Sequence, residues 1–210
     1  GLIPLGTAND LADMLQLPRD LQRAAQVIAD GNTRVLDAGK VNGHYFDNNS
    51  AVGLEPMVTI ENIRLTWIRG VVRYLLAAII TIVKRPSWEA TLKWDDGSYT
   101  GSLTLVSIGN TKRTGGVFYM TPNAVPNDGQ LDFVYAPAMS RGRLFRMLPK
   151  TQTGTHVSEP DINEHQTTRL KISVNPPTPI QADGELIAEA ANDITYDVIP
   201  GALRVFVPHQ

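Results

Sequence analysis

The chain has 210 residues, 42% of them hydrophobic, which is enough to bury a full core in one large domain or one and a fraction. Nineteen basic against 21 acidic residues give a formal net charge of -2. That balance excludes nucleic acid as the main partner, because a phosphate backbone needs a clustered basic face. The absence of cysteine excludes disulfides and thiolate metal sites and suits a cytosolic location. The longest apolar stretch, Gly70 to Val83, contains Arg73 and falls short of the about 20 residues that span a bilayer, so the chain reads as soluble.

The chain opens on an apolar run, Leu2 to Leu5, followed by a Gly-Thr turn and then by Asn9-Asp10 ahead of Leu11, Met14 and Leu15 at helical spacing. This is a strand–turn–helix pattern, and it predicts a strand over Leu2–Leu5 with no earlier strand to pair with. The reading is of a chain that begins inside a domain. Pro18 suits a helix start, Leu21, Ala24, Ala25 and Ile28 follow on one face, and Gly31 reads as the residue past the helix end.

From Thr33 the texture changes. Thr33–Val41 and His44–Asn48 flank Asn42-Gly43, a strong hairpin signal. A helical region is predicted over Pro56–Val83 with a break near Gly70. Strands follow at Ser87–Trp94 and Tyr99–Ile108 around Asp95-Asp96-Gly97, at Val117–Met120 after Gly115-Gly116, and at Leu131–Ala136. A short helix is predicted over Arg141–Lys150, then strands at Thr168–Val174, Thr178–Ala182, Ile194–Ile199 and Ala202–Val207. Many short strands joined by turn chemistry imply an α+β, mainly β fold: a β-sandwich with helices to one side.

Three stretches carry candidate chemistry. Gly6-Thr7-Ala8-Asn9-Asp10 reads first as helix capping, although the same free N–H groups also suit phosphate. Val125-Pro126-Asn127-Asp128-Gly129-Gln130-Leu131-Asp132 reads by default as a β-turn before a strand. Gln181-Ala182-Asp183-Gly184-Glu185 also reads as a turn, between Thr178–Ala182 and Leu186–Ala190. A turn does not explain the second acid, and two acids two residues apart can share one face of an extended chain. In a phosphoryl transferase one would accept the proton of the attacking hydroxyl while the other orients it or helps hold metal. The four histidines, His44, His156, His165 and His209, have no paired spacing, so a zinc site is not expected. Asn163-Glu164-His165 reads as solvated surface. Trp67, Tyr74 and Leu75–Val83 read as core, the alternative being the border of an acyl-chain groove or a membrane-facing side.

The opening Ile3-Pro4-Leu5-Gly6-Thr7-Ala8-Asn9-Asp10-Leu11-Ala12 resembles the signature of the diacylglycerol kinase catalytic family, which includes bacterial lipid kinases and sphingosine kinases. Further matches follow in the family's order: Asp37-x-Gly39, Phe46-x-Asn48-x-Ser50-x-x-Gly53, then Asn110, Gly115-Gly116, Pro122-Asn123-Ala124, the Asp128-Gly129 block and Asp183-Gly184-Glu185. The resemblance covers nearly all of the chain. It implies ATP bound between an N-terminal α/β domain, of which residues 1–32 are a remnant to which 201–210 return, and a C-terminal sandwich of the lipid kinase and NAD kinase type over 33–200.

Residue by residue, the resemblance implies that Gly6, Thr7, Asn9 and Asp10 line the nucleotide cleft, with Asp10 in a network near magnesium. It implies that the Asp128 side chain and the carbonyls of Val125 and Gln130 hold a structural Mg²⁺, and that Asp183 or Glu185 is the base. Asn127 stands where many members carry a second Asp, one negative charge fewer. The implied reaction moves the γ-phosphoryl of ATP to a lipid with a free hydroxyl, at a membrane surface and from the cytoplasm. The family's Gly-Gly-Asp-Gly-Thr phosphate loop is absent from the sequence, so the expectation is the C-terminal two-thirds of a lipid kinase, inactive alone. Two alternatives stand beside it: a non-catalytic lipid-binding or dimerisation module, and an NAD kinase-like enzyme. The edge of the Leu2–Leu5 strand is expected to be covered by another chain, as in a homodimer, or by the returning Ala202–Val207.

Overall fold

Turn chemistry sets the sheet. The computed structural model describes residues 1–84 and 86–209, so position 210 of the expected returning segment 201–210 lies outside them. Asn42 and Gly43 take φ of 45° and 94°, the left-handed pair a tight hairpin needs, and turn β1 (Thr33–Val41) into β2 (His44–Phe46). Asp95-Asp96 joins β4 (Trp88–Trp94) to β5 (Gly97–Gly109), where Trp94 faces Gly97, without a left-handed residue. The remaining strands are β3 (Asn49–Gly53), β6 (Leu131–Pro137), β7 (Asn163–Thr167), β8 (Arg169–Ala182) and β9 (Glu185–Phe206).

All pairings are antiparallel. Their order runs β2-β1-β9-β8-β3-β5-β6-β7, and β4 pairs with both β5 and β8. The long strands β5 and β8 therefore carry β3 at one end and β4 at the other. A register break between Ser173 and Thr178 separates the two pairing stretches of β8. This is how one hydrogen-bonded network wraps both sides of a core containing Leu92, Leu103, Ile108, Phe133, Ile172, Ile180 and Ile194, each at most 1% exposed. Burying such a side chain contributes about 1.5–3 kcal/mol, so the core is the main stabilising element.

Three helices cover one side: α3 (Leu54–Arg64), α4 (Val71–Lys84) and α5 (Arg141–Thr151). Their apolar faces meet in a second cluster with Leu54, Val58, Ala78, Ile82, Leu144 and Met147. Ala77 and Thr81, one turn apart on α4, are fully buried, and the Thr81 hydroxyl donates to the Ala77 carbonyl. Among the described residues no helix is long and apolar enough to cross a membrane.

At the N-terminal end α1 (Asp10–Met14) and α2 (Leu21–Asp30) pack with Leu36 and with Leu203, Val205, Phe206 and Val207. α2 is capped by the Asp20 side chain, which accepts from Arg23 N at 2.9 Å, and it ends at Gly31 with φ 77°. The start therefore lies at Asp20 and not at the proline before it.

Several expectations fail. Leu2–Leu5 forms no strand; Leu5 is 82% exposed, and Leu5 N bonds only back to Ile3 O at 2.9 Å. A strand needs a neighbour's N–H and C=O row, and Leu2 instead packs its side chain against the α1–α2 cluster that β9 also joins. Val117–Met120 is a loop with a single bridge from Thr114 to Phe118, and Tyr119 N turns away to Thr151 O at 2.7 Å. Thr168–Val174 with Thr178–Ala182, and Leu186–Ala190, Ile194–Ile199 and Ala202–Val207, are stretches of two continuous strands, β8 and β9. Asn163-Glu164-His165, read as solvated surface, opens β7 (Asn163–Thr167) on the edge of β6. There His165 stacks on Tyr135 with an interplanar angle of 9° and lies 4.7 Å from the Trp94 ring. Trp67, read as core, is 76% exposed.

Candidate functional site: a linked set of carboxylates

The β8–β9 turn is where the two predicted catalytic acids sit. Asp183 and Gly184 both have positive φ, 48° and 85°, and Ala182 faces Glu185 across the turn. The two acids therefore do not share a face of an extended chain, because the backbone reverses between them. They are also held very differently. Asp183 accepts from Asp47 N at 2.9 Å and from Asn48 N and Asn49 N at 3.0 Å each, while its own N–H bonds Asn49 O at 2.8 Å. A carboxylate has about four lone-pair positions, so these bonds fill most of them. Glu185 is exposed and makes no side-chain hydrogen bond or ion pair among the described residues.

Beside Asp183 lies an acid the sequence reading passed over. Asp47 is pushed well above the usual carboxylate range, first by burial and then by the charge of Asp183. Two interacting carboxyl groups of this kind take up and release protons as a pair. The signal was present in Phe46-x-Asn48, but only as a family pattern, and nothing local says that residue 47 faces residue 183.

Asn48 is the node of the site. Its N–H holds Asp183, its side-chain amide donates to Arg113 O at 3.1 Å, its side-chain oxygen accepts from Thr111 Oγ1, and its carbonyl takes Asn110 N and Thr111 N. Arg113 in turn binds Asp10 Oδ1 through Nε at 2.6 Å and also pairs with Asp13. Asp10, 9% exposed, additionally takes Gly116 N at 3.1 Å on both oxygens. The paired acids hold the Arg113 guanidinium firmly charged.

Asn9 is not the expected cap. It lies at φ 53° and makes no capping bond; it clamps Gly6, accepting from Gly6 N at 2.9 Å and donating to Gly6 O at 2.5 Å. Thr7 is exposed. Gly6–Asp10 is therefore a small locked turn beside Arg113 and Gly116, and an acidic and basic recess lined by Asp10, Asp13, Thr111, Lys112 and Arg113 opens next to it.

The third predicted group joins through Asp37, which is 4% exposed. Its carboxylate accepts from Gly129 N at 2.8 Å and from Gly201 N at 2.7 Å, and its backbone N–H bonds Pro126 O at 2.8 Å. Asn110 completes the link, donating from one amide to Asp37 O and Asp47 O at 2.9 Å each. Asp128 accepts from Gln130 N at 3.0 Å and from Gln166 at 3.2 Å, and Val125 O accepts from Asn127 N at 2.9 Å.

Behind this turn Asp132 is raised to about 6, by burial first and then by the charges of Asp128 and Glu164, while Glu164 Oε1 is buried without a partner. Carboxylate and carbonyl oxygens under mutual repulsion suit a hard divalent cation. Among the described residues no three acidic or histidine side chains converge closely enough to hold a metal by themselves, so such an ion would rest on Asp128, the backbone carbonyls and water.

Residues 49–207 match the family described as the YegS C-terminal NAD kinase beta sandwich-like domain, and residues 1–41 match the diacylglycerol kinase catalytic domain. A diacylglycerol kinase of Mycobacterium tuberculosis (strain ATCC 25618 / H37Rv) is 33% identical over 219 aligned residues, covering 100% of this chain and 69% of the relative. The diacylglycerol kinase of Bacillus subtilis (strain 168) is 28% identical and covers 88% and 62%. The crystal structure of a diacylglycerol kinase from Bacillus anthracis str. Sterne superposes with a TM-score of 0.77 at 23% identity, over 98% of this chain and 67% of that one, and it shares the fold. The β-sandwich and the opening motif thus define a lipid kinase-type fold. This chain belongs to the diacylglycerol kinase family.

Proposed function

We propose that the protein transfers the γ-phosphoryl group of ATP to the hydroxyl of a lipid at a membrane surface. One observation carries the reading. A single hydrogen-bonded chain, Asp183 to Asn48 to Arg113 to Asp10, joins the acid turn to the opening Gly-Thr-x-Asn-Asp motif. These segments lie far apart in sequence, and their linkage preorganises an acceptor for a proton beside a nucleotide cleft. Phosphoryl transfer asks little else of a protein than positioning and charge neutralisation.

In this reading an acid of the Asp183-Gly184-Glu185 turn takes the proton of the lipid hydroxyl, Gly6–Asp10 lines the nucleotide, and the Asp10 carboxylate is held between Arg113 and Gly116 N–H. Mg²⁺ would supply neutralisation of phosphate charge, and Asp128 with the carbonyls of Val125 and Gln130 would hold a second ion. The chain covers 69% of the Mycobacterium tuberculosis relative, so the assay compares the full product of the gene with these 210 residues. Radiolabelled ATP with diacylglycerol, phosphatidylglycerol and a sphingoid base tests the reading. Label in a lipid with the full product, and none with the 210 residues alone, is the expected pair. No labelled lipid from the full product across the panel would refute it.

A further inference from the structure

A groove of about 320 Å³ runs beside the acid turn, between the β1–β2 hairpin and β9. Ala38, Phe46 and Leu203 give it an apolar wall, and Asp47 and Asp183 are its two acids. Asp47 N–H donates to Asp183 Oδ2 at 2.9 Å, which brings the side chains close enough for a carboxyl–carboxyl hydrogen bond. The two acids are held differently. N–H groups of residues 47–49 fill most of the lone pairs of Asp183. Apart from its own N–H and the Asp183 carboxyl, nothing among the described residues bonds the Asp47 carboxyl. No ion pair among them includes either acid. The other charged groups nearby are engaged elsewhere. Lys40 lies over the Tyr45 ring, 5.4 Å from its centroid. Asp37, joined to Asp47 through Asn110, gives its carboxylate to Gly129 N–H and Gly201 N–H. Asp183 is therefore the one charge that bears on Asp47 among the described residues. A residue wanted only for its backbone, which holds Asp183 and accepts from Asn110 Nδ2, has no need of an acid. A carboxyl set against another carboxyl costs stability unless one of them holds a proton.

We propose that Asp47 is a proton relay, taking the hydroxyl proton from the acid turn and releasing it to water in the groove, so that the turn is ready to accept again. The proposal rests on the lipid-kinase reading and adds a residue to it. The O–H bond of the lipid hydroxyl breaks as its oxygen bonds the γ-phosphorus. The bond from that phosphorus to the ADP oxygen breaks, and its electron pair leaves with ADP. The freed proton passes from the turn to the Asp47 carboxylate and then to water, so the acids end the cycle as they began it. Asp47 acts through the turn and is a positioning residue, not the base. Burial and the Asp183 charge raise it to about 6. It is therefore ionised and open to a proton at neutral pH, and it holds that proton more readily than an ordinary aspartate at about 4. Below about 6 it is already protonated, the relay is filled, and turnover falls with falling pH.

Asp47→Asn keeps the shape and the backbone N–H and removes the proton site, and two measurements test it. Carboxyl-carbon NMR of the 210-residue chain needs no activity: the Asp47 carbon, assigned by its loss in the variant, should titrate at about 6. The second is turnover of labelled lipid by the full gene product from pH 5 to 8. Wild type should lose turnover as pH falls through about 6. The variant should be slower at pH 8 by about tenfold and should lack that fall, and Asp47→Glu should recover it. A structural role alone would lower the variant equally at every pH. If Asp47→Asn fails to fold by circular dichroism, Asp47→Ser replaces it. An Asp47 carbon titrating at about 4, or a variant profile parallel to the wild-type one, overturns the relay and leaves the kinase reading standing. No labelled lipid from the full product at any pH refutes the kinase reading and the relay with it, while the carbon titration still decides whether Asp47 holds the proton.

Discussion

Replacing each acid of the β8–β9 turn by alanine separates holding from catalysis. Asp183 closes three hydrogen bonds with the backbone of Asp47, Asn48 and Asn49, and bonds to a charged acceptor contribute about 1.5–3 kcal/mol each. Because Asp183 is exposed, water replaces part of what is lost, which leaves an expected cost of about 2–4 kcal/mol for Asp183→Ala. In a chain of 210 residues each kcal/mol moves the midpoint by about 2–4 °C, so thermal unfolding should shift down by about 5–15 °C. Glu185→Ala breaks no bond among the described residues and should move the midpoint by less than about 1 °C. In a full-length enzyme assayed below both midpoints, the variant that lacks the base should lose about 10²–10⁴ in kcat. Loss of turnover in Glu185→Ala with unchanged stability would make Glu185 the base and Asp183 the residue that positions the loop. Equal midpoints for the two variants would refute the claim that Asp183 organises residues 47–49.

Glu55 should make stability fall with pH. Its pKa rises from 4.5 to about 7 on folding, so between those values the folded state keeps a proton that the unfolded chain has released. Stability therefore falls as pH rises through that window and levels off above it, by about 3 kcal/mol in all. Glu55→Gln lacks this slope, and urea unfolding from pH 5 to 8 should show the variant gaining on wild type, whereas parallel curves would count against a buried neutral acid. Gly53→Ala should cost about 2–3 kcal/mol, since φ is 88° and a Cβ would lie 2.7 Å from Thr104 O. Gly43→Ala, with φ 94° but open space around it, should cost only about 1–2 kcal/mol, and chemical denaturation of the pair checks the difference. Arg113→Met leaves Asp10 with only Gly116 N–H and should lower stability by about 2–4 kcal/mol by urea midpoint, with Arg113→Lys recovering part.

The elements with local causes were legible in the sequence. Asn42-Gly43 forces its turn through backbone conformation, Asp95-Asp96-Gly97 marks another by residue type, and α5 shows its buried stripe as spacing, so both hairpins and that helix stand where the pattern puts them. The three motif stretches were likewise visible as residue types. What each residue does was decided by tertiary structure. Asn9, a capping residue by type, clamps Gly6; Asp183 is gripped by three N–H groups while its neighbour Glu185 is free; Asp37 and Asn110 stitch the loops together from positions that carry no local signal. Polar pairing across more than 60 residues, as between Asn48 and Arg113, leaves no periodicity to read. The edge strand Asn163–Thr167 was invisible because its polar residues satisfy only one neighbour, and Leu2–Leu5 misled because an apolar run names a strand only where another strand supplies its hydrogen bonds. Glu55 is the sharpest case. It stands two residues past the strand-ending Gly53 and one before the predicted helical region at Pro56, with nothing local to mark it; only the packing of the helices against the sheet buries it without a hydrogen-bond partner.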